Sequence, residues 1–354
     1  MSKKDEKILI VGQGLAGTLM SACLTQRHIE HYVVDNHHKS AATAAAAGLI
    51  NPITGRRFVK SWMIDDLISS ALKTYMYLEE LLEIHLINER EVIRSLHNPG
   101  QENDWESSTA RPGYADYTND RKDSGDYRNV VRPAFQYRGI EQAYQINIAD
   151  LIESYRSYLI SKNRLITSEF NSDDQLLEQT PFHFQGIEFS KVIFCEGYRM
   201  MNNRFFNDLP LQPAKGEAFD IEIDSFSTNQ ILRDEIFLVP INESTFWSGG
   251  GYQWQFDDDQ PTEAFKESWT LKLNTLLTTN YTIKNHRAGV RPSVKGRRPL
   301  IGIHQDYPHM VLFNGLGTKG SSLGPYFADH LCNHLFGDEQ LMPEVDIYRF
   351  RNVS

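Results

Sequence analysis

Residues 7–35 read KILIVGQGLAGTLMSACLTQRHIEHYVVD, and the order of apolar, glycine-rich and acidic segments in this stretch decides the fold. Residues Ile8–Val11 predict a short parallel strand that is buried on both faces. A helical spacing of apolar residues predicts a helix over 15–26, and residues 31–35 predict a second strand. The stretch therefore predicts the βαβ unit from which an α/β sheet is built.

Three glycines in the turn between the first strand and the helix indicate a nucleotide site. In dinucleotide-binding turns the first glycine allows the bend, the second lets the backbone approach a pyrophosphate, and the third lets helix and strand pack closely. Gly12, Gly14 and Gly17 have this spacing, which would place the pyrophosphate at a helix N-terminus that attracts anions. Asp35, about 20 residues further on, suits a ribose hydroxyl and would repel the 2′-phosphate of NADP. NAD or FAD remain as ligands.

Length and composition limit the class of protein. The chain has 354 residues, of which 40% are hydrophobic and 23% charged, as expected for a globular protein with two lobes around a cleft. Its net charge of −10 argues against a dedicated nucleic-acid binder, because such proteins carry a basic surface that replaces counterions. No apolar run reaches the roughly 20 residues of a membrane helix, and no signal peptide is recognisable, so we expect a cytoplasmic protein.

The cysteines and histidines predict no metal site. Cys23, Cys195 and Cys332 are far apart in apolar stretches, which indicates buried free thiols rather than a disulfide framework or a CxxC site. His37 and His38 are neighbours whose side chains point in different directions, and no cluster of other ligands accompanies them. We expect them to be solvated turn histidines.

The rest of the chain predicts helices and a second sheet of a different type. An apolar spacing over 61–86 predicts a long amphipathic helix. Residues 98–130 are polar and glycine-rich and predict a long surface excursion, with a lid as the alternative. Residues 191–197 predict a buried strand that ends on Gly197, and alternation from 210 to 256 predicts an antiparallel sheet with one covered face.

An alanine-rich segment, 40–48, is separated from Asp35 by four residues, among them His37, His38 and Lys39. Alanine is the best helix former, so a plain helical turn is one interpretation. In a flavin enzyme, the segment after the ribose-binding strand passes the isoalloxazine ring, where small side chains let the backbone approach. We therefore expect this segment beside a flavin.

Two clusters of residues near the C-terminus narrow the choice of protein family. GVRP at 289–292 is followed by PLIG at 299–302 and by GLGTKG at 315–320. Together with the glycine turn and the segment AGLINP at 47–52, these clusters resemble the superfamily of FAD-dependent D-amino acid oxidases, glycine oxidases and sarcosine oxidases. The elements occur in the family's order over nearly the whole chain.

The resemblance implies an α/β fold with a Rossmann-like FAD-binding domain and a second α+β substrate domain that carries a mostly antiparallel sheet. We expect the first domain to comprise 1–60, 145–210 and 286–354, and the second to comprise 61–144 and 211–285. The implied cofactor is non-covalent FAD, since no cysteine matches the one that carries flavin in sarcosine oxidases. The residues expected to bind FAD are Gly12, Gly14, Leu15, Ala16, Gly17, Asp35, Ala47, Gly48, Leu49, Gly197, Gly315, Gly317, Thr318, Lys319 and Gly320.

The resemblance also implies a reaction, the oxidation of a C–N bond in a small glycine-, sarcosine- or D-amino-acid-like amine by hydride transfer to flavin N5. Arg291 is similar to the arginine that binds the substrate carboxylate, for which a planar guanidinium is suited. Lys319 is similar to a lysine near the pyrimidine edge of the flavin, and Tyr252 is a candidate for orienting the substrate. As structural alternatives, Arg291 would bridge two loops and Lys319 would be an exposed surface lysine.

One departure from the family pattern leaves the substrate open. An acidic residue often found after the GxRP element is replaced here by KGRR at 295–298. The nearest alternative is an oxidase that modifies a wobble uridine in tRNA, where Arg56, Arg57, Arg297 and Arg298 would suit phosphates, although the net charge argues against it. A flavin- or nucleotide-binding protein without turnover and an NAD-dependent dehydrogenase are further alternatives, and the glycine loop at 315–320 disfavours the last. The electron acceptor and the oligomeric state stay open.

Overall fold

The structure, a computed structural model, describes residues 7–37, 41–174 and 177–350. The expectations for the first six residues and for His38 lie outside these ranges. The helices are α1 (Leu15–Gln26), α2 (Ile64–Leu82), α3 (Pro99–Thr109), α4 (Ile148–Ser161), α5 (Glu263–Leu276) and α6 (Gly320–Phe336). The strands are β1 (Ile8–Val11), β2 (His31–Val34), β3 (Leu49–Ile50), β4 (Ile53–Thr54), β5 (Val59–Lys60), β6 (Ile87–Leu96), β7 (Thr118–Asn119), β8 (Gln136–Ile146), β9 (Leu165–Ile166), β10 (Phe182–Phe184), β11 (Ile187–Phe189), β12 (Lys191–Phe194), β13 (Ala214–Ile223), β14 (Ile231–Arg233), β15 (Phe237–Pro240), β16 (Thr245–Gln253), β17 (Tyr281–Arg291), β18 (Leu300–Ile303) and β19 (Met310–Asn314).

The first sheet is the doubly covered parallel sheet that the opening stretch predicts. Its strand order is β18-β19-β12-β1-β2-β9, and its pairs are parallel except for β18 with β19. Successive residues of β1 point to opposite faces. Ile8 and Ile10 join a core with α1, α2, α4 and α6, and Leu9 and Val11 join a second core with β10 and β11. Both faces are therefore buried, which is why β1 is uniformly apolar.

The second sheet is mostly antiparallel and has the order β17-β13-β16-β15-β14-β6-β8-β3, with β7 also paired to β8. Side chains of its strands alternate between two cores. Phe219, Ile221 and Leu238 pack with α5, whereas Ala218 and Val239 belong to the core shared with the first sheet and α2. This architecture confirms the α/β fold class, with a Rossmann-like sheet and a second antiparallel sheet.

Two predictions of secondary structure need correction. The long helix predicted over 61–86 is shorter: α2 ends at Leu82, because Glu83 takes a left-handed conformation with a φ of +55°. The surface excursion predicted over 98–130 is wrong, since the segment contains α3 and the buried side chains of Trp105 and Tyr127. Asn98 caps this helix by accepting a hydrogen bond from the N–H of Gln101 at 3.0 Å.

The proposed domain boundaries stay a prediction, and strands of the second sheet cross them. β3 pairs with β8 through Leu49 and Gln145, and β17 continues to Arg291. Cys23, Cys195 and Cys332 are all buried, as predicted. Among the described helices, none combines the length and apolar character that crossing a bilayer demands.

Candidate cofactor and substrate site

The turn between β1 and α1 is shaped by close backbone contacts. Gly12 has a φ of +98°, and a Cβ there would lie 2.7 Å from the carbonyl oxygen of Cys195. A Cβ on Gly17 would overlap the carbonyl oxygen of Gly12. A Cβ on Gly14 would meet only the hydroxyl of Thr43, at 3.4 Å. Gly12 and Gly17 therefore permit packing within the protein, whereas Gly14 leaves open space at the start of α1.

The N-terminus of α1 leaves most of its N–H groups available to an anion. Its N-cap residue, Gly14, has no side chain, and its first turn contains no acidic residue. The N–H of Leu15 points to the hydroxyl oxygen of Thr43 at 3.3 Å. Uncapped N–H groups and the helix dipole together attract negative charge. Thr43 belongs to the alanine-rich segment, and no sequence motif identifies it.

Asp35 lies just after β2 and is held by several donors. Its Oδ2 accepts the N–H of Gln13 at 2.9 Å. Its Oδ1 accepts the N–H of His37 at 2.7 Å and Nη1 of Arg156 at 2.9 Å. A carboxylate offers about four lone-pair sites, so one acceptor position remains for a ribose hydroxyl. Sequence patterns do not mark Arg156, because it reaches Asp35 from α4 only in the folded chain.

The alanine-rich segment joins the two sheets through its backbone. It forms a short 3₁₀ turn at Ala42–Ala45. The carbonyl of Ala44 accepts Nη1 of Arg287 at 3.1 Å, and the carbonyl of Ala45 accepts Nε1 of Trp247 at 3.1 Å. Both donors belong to the second sheet, while Thr43 contacts α1 of the first. Small side chains allow this close passage, and the position beside a flavin stays a prediction.

Gly48, expected beside the flavin with Ala47 and Leu49, has a structural role of its own. Its φ is +74°, and a Cβ there would overlap the carbonyl oxygen of Ile146. Leu49 then begins β3, which pairs with β8. The glycine is thus required where the chain meets β8, whether or not a flavin lies nearby.

The glycine loop at 315–320 brings a second helix N-terminus beside the first. Gly315 has a φ of +76°, and a Cβ there would lie 2.9 Å from the backbone nitrogen of Leu300. A Cβ on Gly320 would lie 3.0 Å from the side chain of Leu15, so the start of α6 packs on the start of α1. No side chain caps α6. Gly317 has a φ of +57°, and Thr318 is exposed.

Lys319 is half-buried, unlike the exposed surface lysine of the alternative interpretation. Its Nζ donates to Oγ of Ser61 at 2.9 Å, and Ser61 donates to the carbonyl of Asn51 at 3.0 Å. Burial lowers the pKa of Lys319, and the charges of Arg298 and Arg297 lower it further. Within the described residues, no carboxylate lies at ion-pair distance from Nζ. Ser61 and Asn51 have no sequence signal of their own.

Arg291 is a half-buried cation at the end of β17. Its Nη1 donates to the carbonyl of Gly251 at 2.9 Å, and its Cζ lies 5.0 Å from the ring centroid of Tyr252. Burial lowers the pKa of Arg291. No ion pair joins it to a carboxylate in the described parts of the chain. A desolvated guanidinium without an anionic partner is costly, so a carboxylate ligand would stabilise it.

Other predicted residues lie close to these groups. Tyr252 is 56% exposed and stacks on Trp254 with ring centroids 5.7 Å apart, so it borders Arg291 from the solvent side. The carbonyl of Gly197 accepts Nδ2 of Asn314 at 2.8 Å, which ties the end of β12 to the glycine loop. A Cβ on Gly317 would lie 3.9 Å from Ser293, two residues beyond Arg291. The loop and the arginine thus share one edge of the fold.

Comparison with known proteins agrees with this geometry. The family model of DAO, described as FAD dependent oxidoreductase, matches residues 7–334. The chain belongs to the DAO family. The family assignment makes the protein an FAD-dependent oxidoreductase.

Solved structures of DAO-like fold cover almost the whole chain. Glycine oxidase from Geobacillus kaustophilus has a TM-score of 0.80 at 16% identity, covering 96% of this chain and 98% of the other. Iminodiacetate oxidase from Chelativorans sp. BNC1 has a TM-score of 0.76 at 17% identity, covering 95% and 97%. L-proline dehydrogenase from P. horikoshii has a TM-score of 0.77 at 14% identity, covering 99% of each chain. At these identities the likeness shows the fold.

The groups present suit the FAD of a DAO-family protein. A pyrophosphate needs available N–H groups at a helix N-terminus whose first turn lacks acidic residues, and α1 provides them apart from the N–H of Leu15. Gly14 adds space that a side chain would fill. The charged ring edge of a reduced flavin needs donors and positive charge, and the uncapped start of α6 with Lys319 provides both.

Glu196, the residue before Gly197, is an ionisable group of this DAO-family site that sequence patterns do not reveal. Burial raises its pKa to about 7, although Nδ2 of Asn203 donates to its Oε2 at 2.7 Å and favours the charged form. Its Cα lies 3.7 Å from the position of a Cβ on Gly12. A carboxyl with this raised pKa carries less negative charge beside the start of α1 at neutral pH than an ordinary glutamate would.

The glycines of the first turn should respond differently to alanine. We expect Gly17→Ala to destabilise the protein by about 3 kcal/mol or more, because its Cβ would overlap the Gly12 carbonyl. Gly14→Ala should leave the apo-protein as stable as the wild type and weaken FAD binding by about tenfold. Thermal unfolding without FAD, and fluorescence titration with it, measure the two effects. Equal destabilisation of both apo-proteins would contradict the assignment of Gly14 to the cofactor.

The raised pKa of Glu196 predicts a pH-dependent stability difference. The unfolded carboxyl ionises near 4.5 and the folded one near 7, so the folded state binds the extra proton between these values. Stability therefore falls as pH rises through this window. Glu196→Gln keeps the contact with Asn203 without the charge. Its free energy of unfolding should exceed that of the wild type by about 2 kcal/mol at pH 8, and by much less at pH 5. Urea unfolding at both pH values measures the difference, and a difference independent of pH would refute the assignment.

Proposed function

We propose that the protein oxidises the C–N bond of a small amine or amino acid that carries a carboxylate, with FAD as the immediate electron acceptor. The half-buried guanidinium of Arg291 carries the proposal, since it contacts a carbonyl and an aromatic ring but has no anionic partner among the described residues. Glycine oxidase, iminodiacetate oxidase and L-proline dehydrogenase share the fold. Each is named for a compound that contains both an amine and a carboxylate.

We assign FAD binding to the two helix starts and the segments around them. FAD, when bound, supplies a two-electron acceptor. The start of α1 would hold its pyrophosphate, Asp35 its ribose, and the loop at 315–320 its ring edge. The residues in this assignment are Gly12, Gly14, Leu15, Ala16, Gly17, Asp35, Ala47, Gly48, Leu49, Gly197, Gly315, Gly317, Thr318, Lys319 and Gly320.

Arg291 would fix the carboxylate end of the substrate. The planar guanidinium can pair with both carboxylate oxygens, which limits the positions open to the α-carbon. Tyr252 would cover the same end, because its ring lies against the guanidinium. The amine must be neutral when hydride leaves the α-carbon, since its lone pair forms the new C=N bond. The resulting imine then hydrolyses in water.

Lys319 and the start of α6 would favour electron uptake electrostatically. The helix dipole and the Lys319 ammonium place positive charge at the loop, and this charge offsets the negative charge gained on reduction. Ser61 holds the ammonium in place through its hydroxyl. These groups need no proton transfer of their own, so a dedicated base is not required for this step.

Removal of the Arg291 side chain should weaken substrate binding selectively. We expect Arg291→Ala to raise the KM for a carboxylate-bearing amine by about 100-fold or more, because a charged bidentate contact is lost. FAD content should be unchanged, since Arg291 contacts none of the proposed cofactor residues. Arg291→Lys keeps the charge without the planar fork, so its KM should lie between those of the wild type and Arg291→Ala. Steady-state kinetics and the flavin absorbance of the purified variants give the two readouts.

Arg56→Ala provides the matched control, because Arg56 is exposed and its loss removes the same charge. Its KM should equal that of the wild type. A low flavin content together with an unchanged KM in Arg291→Ala would instead assign Arg291 a structural role.

The visible absorption spectrum under anaerobic conditions tests the proposal as a whole. A yellow protein that is bleached by glycine, sarcosine, another secondary amine or a D-amino acid would support amine oxidation and identify the substrate class. A yellow protein that none of them reduces would contradict small-amine oxidation and favour the tRNA-modifying oxidase or a flavin-binding protein without turnover. For the tRNA alternative, Arg56, Arg57 and Arg297 are exposed, whereas Arg298 is engaged over the ring of Trp62 at 3.9 Å.

A further inference from the structure

A row of arginines crosses neighbouring strands of the second sheet, far along the strand order from Arg291. Arg233 of β14 pairs with Arg94 of β6, and Arg94 pairs with Arg138 of β8. Directly paired residues project to the same face, and like charges directly opposite each other destabilise a sheet. The row therefore needs negative charge nearby.

Of the three arginines in this row, Arg138 has carboxylate partners, whereas Arg94 and Arg233 have none at ion-pair distance among the described residues. Arg138 donates to Glu102 and to Glu106 of α3, at 2.8 Å in each case. Arg94 and Arg233 instead donate to the backbone carbonyl of Asp234. In the parts of the chain that the structure describes, no carboxylate lies within ion-pair distance of Arg94 or Arg233. The Asp234 carboxylate pairs with His97 at 3.4 Å.

Arg94 and Arg233 are also half-buried. Arg94 lies over the ring of the buried Phe58, with Cζ 5.4 Å from its centroid, and Arg233 lies 4.5 Å from the centroid of Phe237. Burial and the charge of Arg233 lower the pKa of Arg94 to about 10, against the opposing charge of Asp234. Burial lowers the pKa of Arg233, although the charges of Asp234 and Glu235 oppose the shift. The Nε of Arg94 is buried without a hydrogen-bond partner. Two partly desolvated guanidinium groups without an ion-pair partner cost free energy that an anion would recover.

We propose that Arg94 and Arg233 form a binding site for a carboxylate or phosphate group. The anion would accept from Nη2 of Arg94 and Nη2 of Arg233, because Nη1 of each donates to the Asp234 carbonyl, and it would offset their mutual repulsion. β14 and β17 are separated in the sheet by β13, β16 and β15, so this site is distinct from that at Arg291. Phe58 precedes Ser61 by three residues, a span of at most about 10 Å, which places the site near the partner of Lys319.

The first test measures anion binding and does not depend on catalysis. Thermal unfolding of the FAD-loaded protein is followed with inorganic phosphate or malonate against potassium chloride at equal ionic strength. At saturation, one of these anions should raise the melting temperature of the wild type by about 3 °C. Arg94→Met and Arg233→Met should lose this increase. Without the anion they should be at least as stable as the wild type, because an unpaired buried charge is replaced by apolar volume.

Arg128→Met is the matched control, since Arg128 is an exposed arginine paired with Asp123 at 2.9 Å. It should keep the full anion effect. Absence of an anion effect in the wild type would overturn the proposal. So would an anion effect that survives in Arg94→Met and Arg233→Met, and a loss of stability in these variants without the anion would assign both arginines a structural role.

The second test asks whether the bound anion affects the amine site, and it rests on the proposed function. Four strand spacings of about 4.8 Å separate β17 from β14, so one small substrate cannot occupy both sites and the anion is a separate molecule. The KM for sarcosine is therefore measured with and without saturating phosphate, in wild type and in Arg94→Met. A change of about tenfold in the wild type that is absent in Arg94→Met would make the anion an effector of the amine site. An unchanged KM, with anion binding established by the first test, would assign it to an anion that acts independently of catalysis. Failure of amine oxidation itself affects only this second test.

Discussion

The contact of Gly17 with the carbonyl of Gly12, and of Gly12 with Cys195 on the neighbouring strand, is the constraint on which the site depends. It places the first turn of α1 against the edge of the parallel sheet. Gly320 then packs on Leu15, which fixes the start of α6 relative to α1. Two uncapped helix N-termini consequently meet on one edge. Their partial positive charges add to Lys319 in a protein whose net charge is −10.

The antiparallel sheet is fastened to this edge by the turn at Ala42–Ala45. Its carbonyls bind Trp247 and Arg287 of the sheet, and its Thr43 hydroxyl receives the N–H of Leu15. Movement of one sheet relative to the other would break these bonds. The proposed carboxylate site at Arg291 therefore keeps a fixed relation to the proposed cofactor site, which is what hydride transfer between bound groups demands.

The sequence predicts most of what depends on local pattern. The limits of α1 follow from apolar spacing and the glycine turn. Contacts that only folding creates are not predictable in this way. Examples are the hydrogen bond from Arg156 to Asp35 and that from Lys319 to Ser61. The burial that raises the pKa of Glu196 is another. The error over 98–130 has a different cause. Asn98 followed by Pro99 is a helix start signal, but the polar composition that follows outweighed it, and the buried aromatic side chains that hold the segment are few and widely spaced.

The proposed cofactor edge is built mainly from backbone. Carbonyl oxygens, N–H groups at helix starts and positions that exclude a Cβ make up most of it, and only a few side chains, such as Asp35 and Lys319, enter directly. Almost every residue type supplies the same backbone amide group, so such an edge limits which amino acid can stand at only a few positions besides its glycines. Structures with this fold can therefore drift to 14–17% identity while the backbone path is retained over 95–99% of this chain. Side chains that face a substrate are not held by this backbone constraint, so chemical specificity can change while the architecture that supports it is kept.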